Sequence, residues 1–273
     1  MDLSEWSNFD LGTRLVSYDE DDVMLYALAV GAQAGDLPLI FERDLRVLPT
    51  FALPLGLWVA DAASAAGAFE PAAALHAEQG LRSFRALPGS GQFEVTGRIS
   101  QVRDTGRSAI LDITAESEFF AATYSVILPG QGGFSKGSAV AQKAPSEDRP
   151  VGTARAIGPV ALSERAAVLY RLTGDKHLIH VDPKAARDAG FARPLLHGLC
   201  TLGTTALAIA RDLTAAPWEL SELEARFTAP VYPGQALSIS SWATGGGSGR
   251  STFGFDASVE DSDVLTRGRI SFS

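Results

Sequence analysis

An internal repeat limits what this chain can fold into. Asp22-Val-Met-Leu-Tyr26-Ala-Leu28 aligns with Ala166-Ala-Val-Leu-Tyr170-Arg-Leu172 at an offset of 144 residues (170 − 26), and Phe84-Arg-Ala-Leu-Pro88-Gly-Ser-Gly91-Gln92 aligns with Phe227-Thr-Ala-Pro-Val-Tyr-Pro-Gly234-Gln235 at 143 (234 − 91). Two matches in the same order at nearly one offset indicate a duplicated unit. Each copy reads as helices first and strands afterwards, the order of an α+β layer fold rather than of alternating parallel units. In the first copy, residues 92–102, 109–114 and 119–128 form a predicted antiparallel meander with a turn at Asp104-Thr-Gly106. In the second, residues 236–243, 251–258 and 264–272 repeat it around the turn at 245–249. Residues 136–158, rich in Ser, Ala, Pro and charge, read as a linker, so the expected units are 1–140 and 158–273.

The helical part of the second copy is the sharper one. Ser163 can cap a helix running through Val168, Leu169 and Leu172 to Gly174, and Asp182-Pro183 reads as N-cap and first position of a short helix ending at Gly190. From His197 to Ile209 the residues are small or apolar, as in a helix buried on most sides. A strand meander wrapped round one such helix is the hot-dog arrangement. With 46% hydrophobic and 20% charged residues the chain can bury such a core. Its net charge of −9, with no cluster of Lys and Arg, argues against a nucleic-acid binder. An anionic ligand would have to be held by a local basic patch or by helix N-termini.

Chemistry concentrates in Gly174-Asp175-Lys-His177-Leu-Ile-His180-Val-Asp182-Pro183, where Asp175, His177, His180 and Asp182 fall within eight residues of one loop. Asp182 has a complete local explanation as a helix cap. Asp175 and His180 do not, and they are the candidate acid/base pair. Arg193-Pro-Leu-Leu-His197-Gly-Leu-Cys200-Thr201 then puts Gly198 at the start of the buried helix. Backbone N–H groups there lack intrahelical acceptors, and a glycine lets an oxygen gaining negative charge come close. Tight packing is the other reading of Gly198, and a packed ring is the other reading of His197. His76 is read as a surface or packed histidine.

These segments, Tyr170 to Asp175, His180-Val-Asp-Pro183 and Leu196-His-Gly-Leu-Cys-Thr201, together with Arg226-Phe-Thr-Ala-Pro-Val-Tyr-Pro-Gly234, resemble the hydratase 2 motif of the MaoC-like (R)-specific 2-enoyl-CoA hydratases of double hot-dog type. Leu25 to Gly31 and Leu48-Pro-Thr-Phe51 are similar to that family's degenerate first repeat, so the resemblance spans nearly the whole chain. It implies two antiparallel sheets, each wrapped round a central helix. It also implies hydration of trans-2-enoyl-CoA to (R)-3-hydroxyacyl-CoA by Asp175, His180 and the Gly198 N–H, with His177 assisting and His197, Arg193 and Leu199 beside the substrate. No cofactor is expected, CoA being part of the substrate, and no metal. Where the family usually has Asn-Pro this chain has His177-Leu178; a neutral imidazole can still donate or accept, so His177 is expected to keep the role and to lower activity when it protonates at mildly acidic pH.

In the first copy Val30-Gly-Ala-Gln33 stands where the second has Thr173-Gly-Asp-Lys176, and Pro54-Leu55 falls near the place of His197-Gly198. One active site per chain is therefore expected, with the altered half leaving room for medium, long, branched or sterol-type acyl groups, as the resemblance implies. A homodimer is expected on the same ground. The first twelve residues lack an apolar core, residues 51–75 are interrupted by Pro54, Asp61, Glu70 and Pro71, and the one cysteine is Cys200, which together suit a cytoplasmic protein outside the membrane. The competing readings are a zinc site on His177, His180 and a carboxylate, a thioesterase or acyl-carrier-protein dehydratase on the same fold, and a partner-dependent acyl-CoA-binding subunit.

Overall fold

The computed structural model describes residues 2–135, 154–245 and 251–273. The first half contains β1 (Phe9–Tyr18), α1 (Glu20–Ala29), α2 (Leu37–Ile40), α3 (Ala52–Gly56), α4 (Trp58–Ala65) and the strands β2 (Leu75–Ser83), β3 (Gly91–Asp104), β4 (Ser108–Glu116) and β5 (Phe120–Pro129). The second half follows with β6 (Arg155–Ala161), α5 (Ala166–Tyr170), α6 (Pro183–Asp188), α7 (Gly198–Asp212), β7 (Leu220–Phe227), β8 (Ala236–Gly245), β9 (Ser251–Val259) and β10 (Ser262–Phe272). Each half thus places one strand ahead of its helices, which the helices-first reading did not anticipate. β6 also begins inside the segment expected to be linker; 136–153 of that segment and most of the 245–249 turn lie outside the described residues.

The strands form one sheet in the order β1-β3-β4-β5-β2-β7-β10-β9-β8-β6. The two antiparallel sheets of the expected double hot-dog are thus joined edge to edge. The five-stranded halves are fused by antiparallel pairing of β2 with β7, from Glu78 opposite Arg226 to Arg82 opposite Glu222. Edge backbone groups that each half would leave unpaired are satisfied at this seam. Across it Glu78, 5% exposed, accepts from Arg226 Nε at 3.1 Å and Nη2 at 2.8 Å. Arg103 makes a two-point contact with Asp112 and stands 3.7 Å from Glu78.

Helix α7 is the central helix of the second half, and every residue from Leu199 to Ala210 is buried. Its aliphatics Leu199, Leu202, Leu207 and Ile209 each contribute about 1.5–3 kcal/mol by leaving water. Two of its buried threonines bond back along the helix, Thr205 Oγ1 to the Thr201 carbonyl at 2.8 Å and Thr201 Oγ1 to that of His197 at 3.3 Å. Gly203 lets α1 approach, since a Cβ there would meet Val30 Cγ1 at 2.8 Å and Tyr26 Oη at 2.9 Å. In the first half the corresponding place is held by α3 and α4, packed on β5 and on β1, β3 and β4.

Candidate active site

The Asp175 loop is built by local chain stops. α5 tightens into a 3₁₀ turn over Arg171–Thr173 and ends at Gly174, whose φ of +141° suits glycine. A Cβ on Gly174 would touch the Pro54 carbonyl oxygen of α3 at 3.4 Å, so the first half buttresses the loop. Asp175 then closes an Asx turn, its Oδ1 accepting the His177 backbone N–H at 3.1 Å, and a 3₁₀ turn over Leu178–His180 brings the chain back. Asp182 caps α6 as expected, accepting from the Lys184 N–H at 2.7 Å.

These turns put His180 Nε2 4.0 Å from Asp175 Oδ2. His180 Nδ1 lies 3.1 Å from the Leu195 carbonyl oxygen, which can only accept, so Nδ1 carries the proton and Nε2 presents its lone pair toward the carboxylate. Two acceptors 4.0 Å apart are too distant for a direct hydrogen bond and well spaced to share one donor molecule the size of water. Burial lowers the pKa of His180; the Asp175 charge opposes this without cancelling it. The side chains of Asp175 and His180 are 19% and 10% exposed, open enough for a substrate to reach.

His197 lies behind this pair. It is 1% exposed, its Nε2 donates to the Asp175 backbone carbonyl at 3.1 Å, and its ring stacks on that of His180 with centroids 3.6 Å apart and planes at 24°. The Tyr170 ring packs against His197 as well, with centroids 4.9 Å apart and planes at 42°. Burial, then the proximity of His180, push its pKa down to about 3, so the ring is neutral at physiological pH. Gly198 follows as the first residue of α7, half-buried, and a Cβ on it would stand 3.0–3.4 Å from the Phe227 ring. Both readings of this glycine therefore have a footing, the open helix start and the close ring.

The remaining expected residues fall elsewhere. His177 is exposed; its main-chain N–H holds Asp175, and its ring lies 6.2 Å from that of His180, edge toward face. Arg193 is exposed, donating to the Pro233 carbonyl at 3.3 Å with its guanidinium over the Tyr232 ring. Leu199 is 3% exposed within the core. The burial and bonding of His197 likewise argue against its touching substrate. The histidines that gather with Asp175 are His180 and His197, with donor atoms within 4.8 Å of one another, not the pair His177 and His180 of the zinc reading. Rings stacked nearly parallel direct their lone pairs side by side rather than toward one ion.

Two first-half residues reach the same place. A bulge in β2 between His76 and Glu78 sends the His76 ring to the helix side of the sheet, 4.8 Å from Phe227 and 6.0 Å from Tyr124, where burial lowers its pKa to about 4. On α4, Asp61 is exposed, and its pKa is raised by desolvation and next by the Asp175 charge. No periodicity in the sequence marks either residue, because a bulge and a helix-to-loop approach are tertiary features.

The resemblance to known proteins follows this layout. The MaoC like domain matches residues 145–264 and the MFE-2 hydratase 2 N-terminal domain matches 16–128. A 3-hydroxyacyl-thioester dehydratase Y of Mycobacterium tuberculosis is 35% identical over 84% of this chain and 83% of that protein. The chain belongs to the MaoC-like hydratase 2 family. Another member, a peroxisomal enoyl-CoA hydratase 2 of Arabidopsis thaliana, is 31% identical over 84% of this chain and 83% of its own length. A crystal structure of a MaoC-like dehydratase from Phytophthora capsici superposes with a TM-score of 0.84 over 100% of this chain and 98% of that one at 22% identity, in keeping with the double hot-dog fold. For this family member, no helix among the described residues is long and apolar enough to cross a membrane.

Proposed function

We propose that this family member adds water to the double bond of trans-2-enoyl-CoA, giving the (R)-3-hydroxyacyl thioester in acyl-chain metabolism. The observation that carries the reading is the 4.0 Å space between Asp175 Oδ2 and His180 Nε2, beside the N-terminus of α7. A water held between the two acceptors loses a proton to the dyad as its oxygen bonds to C3. The double-bond electrons move toward the thioester oxygen, which takes the Gly198 N–H and the positive end of the α7 dipole. Collapse of that enolate takes the proton back from the dyad at C2, so OH and H of one water are added, the dyad is restored and no cofactor is consumed. Proton transfer by positioned groups contributes roughly 10²–10⁴ in rate.

The altered first half is proposed to admit medium, long, branched or sterol-type acyl chains. The protein is further proposed to act as a homodimer in the cytoplasm, which sedimentation and cell fractionation test. Incubating it with trans-2-enoyl-CoA and resolving the product on a chiral column tests the main claim. The (R)-3-hydroxyacyl-CoA is expected; release of free CoA thiol from saturated acyl-CoA would contradict it and mark a thioesterase.

A further inference from the structure

We infer that His197 is a positioning residue of this site: its ring clamps the Asp175 main chain and the His180 imidazole into one arrangement while its own backbone starts the helix that presents Gly198. The inference rests on the hydratase reading for what is positioned, and on geometry for the clamp. One edge of the ring is tied by Nε2–H to the Asp175 carbonyl oxygen at 3.1 Å, and one face lies on His180 at 3.6 Å. The fully buried Tyr170 ring also packs against His197, with centroids 4.9 Å apart and planes at 42°, and holds it from the interior. The His197 carbonyl accepts the Thr201 N–H at 3.1 Å, closing the first turn of α7. A single side chain thus joins the segment carrying Asp175, the ring of His180 and the residue before Gly198.

The chemistry asks for a histidine here. A phenylalanine would stack without donating, and a glutamine would donate without stacking. A charged ring would put a cation against His180. The groups that face His197 are His180, Asp175 and Arg171; those that face His180 are Asp175, His177 and His197; His76 and Asp61 act on the site through Asp175. Burial keeps His197 uncharged among them.

Two variants separate the clamp's functions. His197→Phe keeps the ring cover and loses the bond to Asp175; His197→Gln keeps a donor and opens His180 to water. In both, kcat for trans-2-enoyl-CoA is expected to fall on the order of 10²-fold, as for misplaced catalytic groups, with KM little changed. The acid limb of the kcat/KM profile is expected to stay in place for His197→Phe and to rise toward about 6.5 for His197→Gln, where solvent reaches His180. Unchanged kcat and acid limb in both folded variants would overturn the inference, as would a raised KM at unchanged kcat, which marks substrate contact. The wild-type protein with ¹⁵N-labelled histidine supplies a test independent of variant folding and of turnover: His197 neutral with the proton on Nε2 down to pH 5 supports the clamp, and a charged or Nδ1–H ring at pH 6 refutes it. An inactive wild type that still shows this tautomer would strike the hydratase reading and leave the clamp standing.

Discussion

Replacing Gly198 with alanine separates the two explanations of that glycine. The added methyl would stand 3.0 Å from Phe227 Cε1 and 3.2 Å from Cδ1, against an optimum of roughly 3.5–4.0 Å, so the ring must shift by several tenths of an ångström. Phe227 packs in turn on His76 at 4.8 Å, which limits its retreat. Overpacking of this kind costs about 1–3 kcal/mol, while replacing a helical glycine returns about 0.5–1 kcal/mol. The net loss is therefore about 0–2.5 kcal/mol. For 273 residues the unfolding entropy is about 0.6 kcal/mol per degree, so Tm should fall by no more than about 4 °C. Activity should fall much further, on the order of 10²-fold in kcat, because the methyl and the displaced ring crowd the thioester oxygen at the α7 N-terminus. Calorimetry and hydration of trans-2-enoyl-CoA on the same preparation read both quantities. A variant that unfolds within that range yet hydrates at the wild-type rate would refute the role of this backbone and leave close packing as its only explanation.

Other outcomes follow from the same geometry. The acid limb of the wild-type kcat/KM profile should lie below 6.5, since burial depresses His180; an acid limb at or above 6.5 would contradict this. Stability should also fall with acid: His76 and His197 titrate at about 4 and about 3 when folded against about 6.5 unfolded, so the stability tied to their neutral forms is complete above 6.5 and lost as pH drops toward those values. Urea denaturation between pH 7 and pH 4 measures it, with a slope of at most about 1.4 kcal/mol per pH unit per histidine. Arg226→Met removes two charge-assisted bonds from nearly buried Glu78 at the seam and should cost about 1.5–3 kcal/mol in urea unfolding, whereas a cost below about 0.5 kcal/mol would mean that the seam does not depend on this pair. Chelator treatment should leave hydration unchanged, because the stacked rings of His180 and His197 do not converge on one ion; lost activity restored by zinc would reverse that conclusion.

Much of this arrangement is legible in the chain because it is encoded locally. The buried run of α7, the Asp182-Pro183 cap and the meanders of β3–β5 and β8–β10 each follow from periodicity or capping, and the repeat offset pairs Tyr26 with Tyr170, whose rings pack 5.8 Å apart. The edge strands β1 and β6 escaped because they are exposed at most positions and show no clean alternation. The joining of two sheets into one escaped because the polar run Glu78-Gln79-Gly80 of β2 makes sense only opposite Arg226, Ala225 and Glu224 of β7. At the site, Asp175 and His180 announce themselves by their density of titratable groups. The stack of His197 on His180 and the aim of His76 depend on ring orientation and on a bulge, which residue type and spacing do not encode.

Disappearance of the enoyl-thioester absorbance across a panel of trans-2-enoyl-CoAs, with wild type beside Asp175→Asn and His180→Ala, tests the central claim most directly. The account predicts that wild type hydrates at least one chain length, and that each folded variant loses roughly 10²–10⁴-fold of that rate. Wild type inactive on every chain length, or variants that match it, would contradict the account.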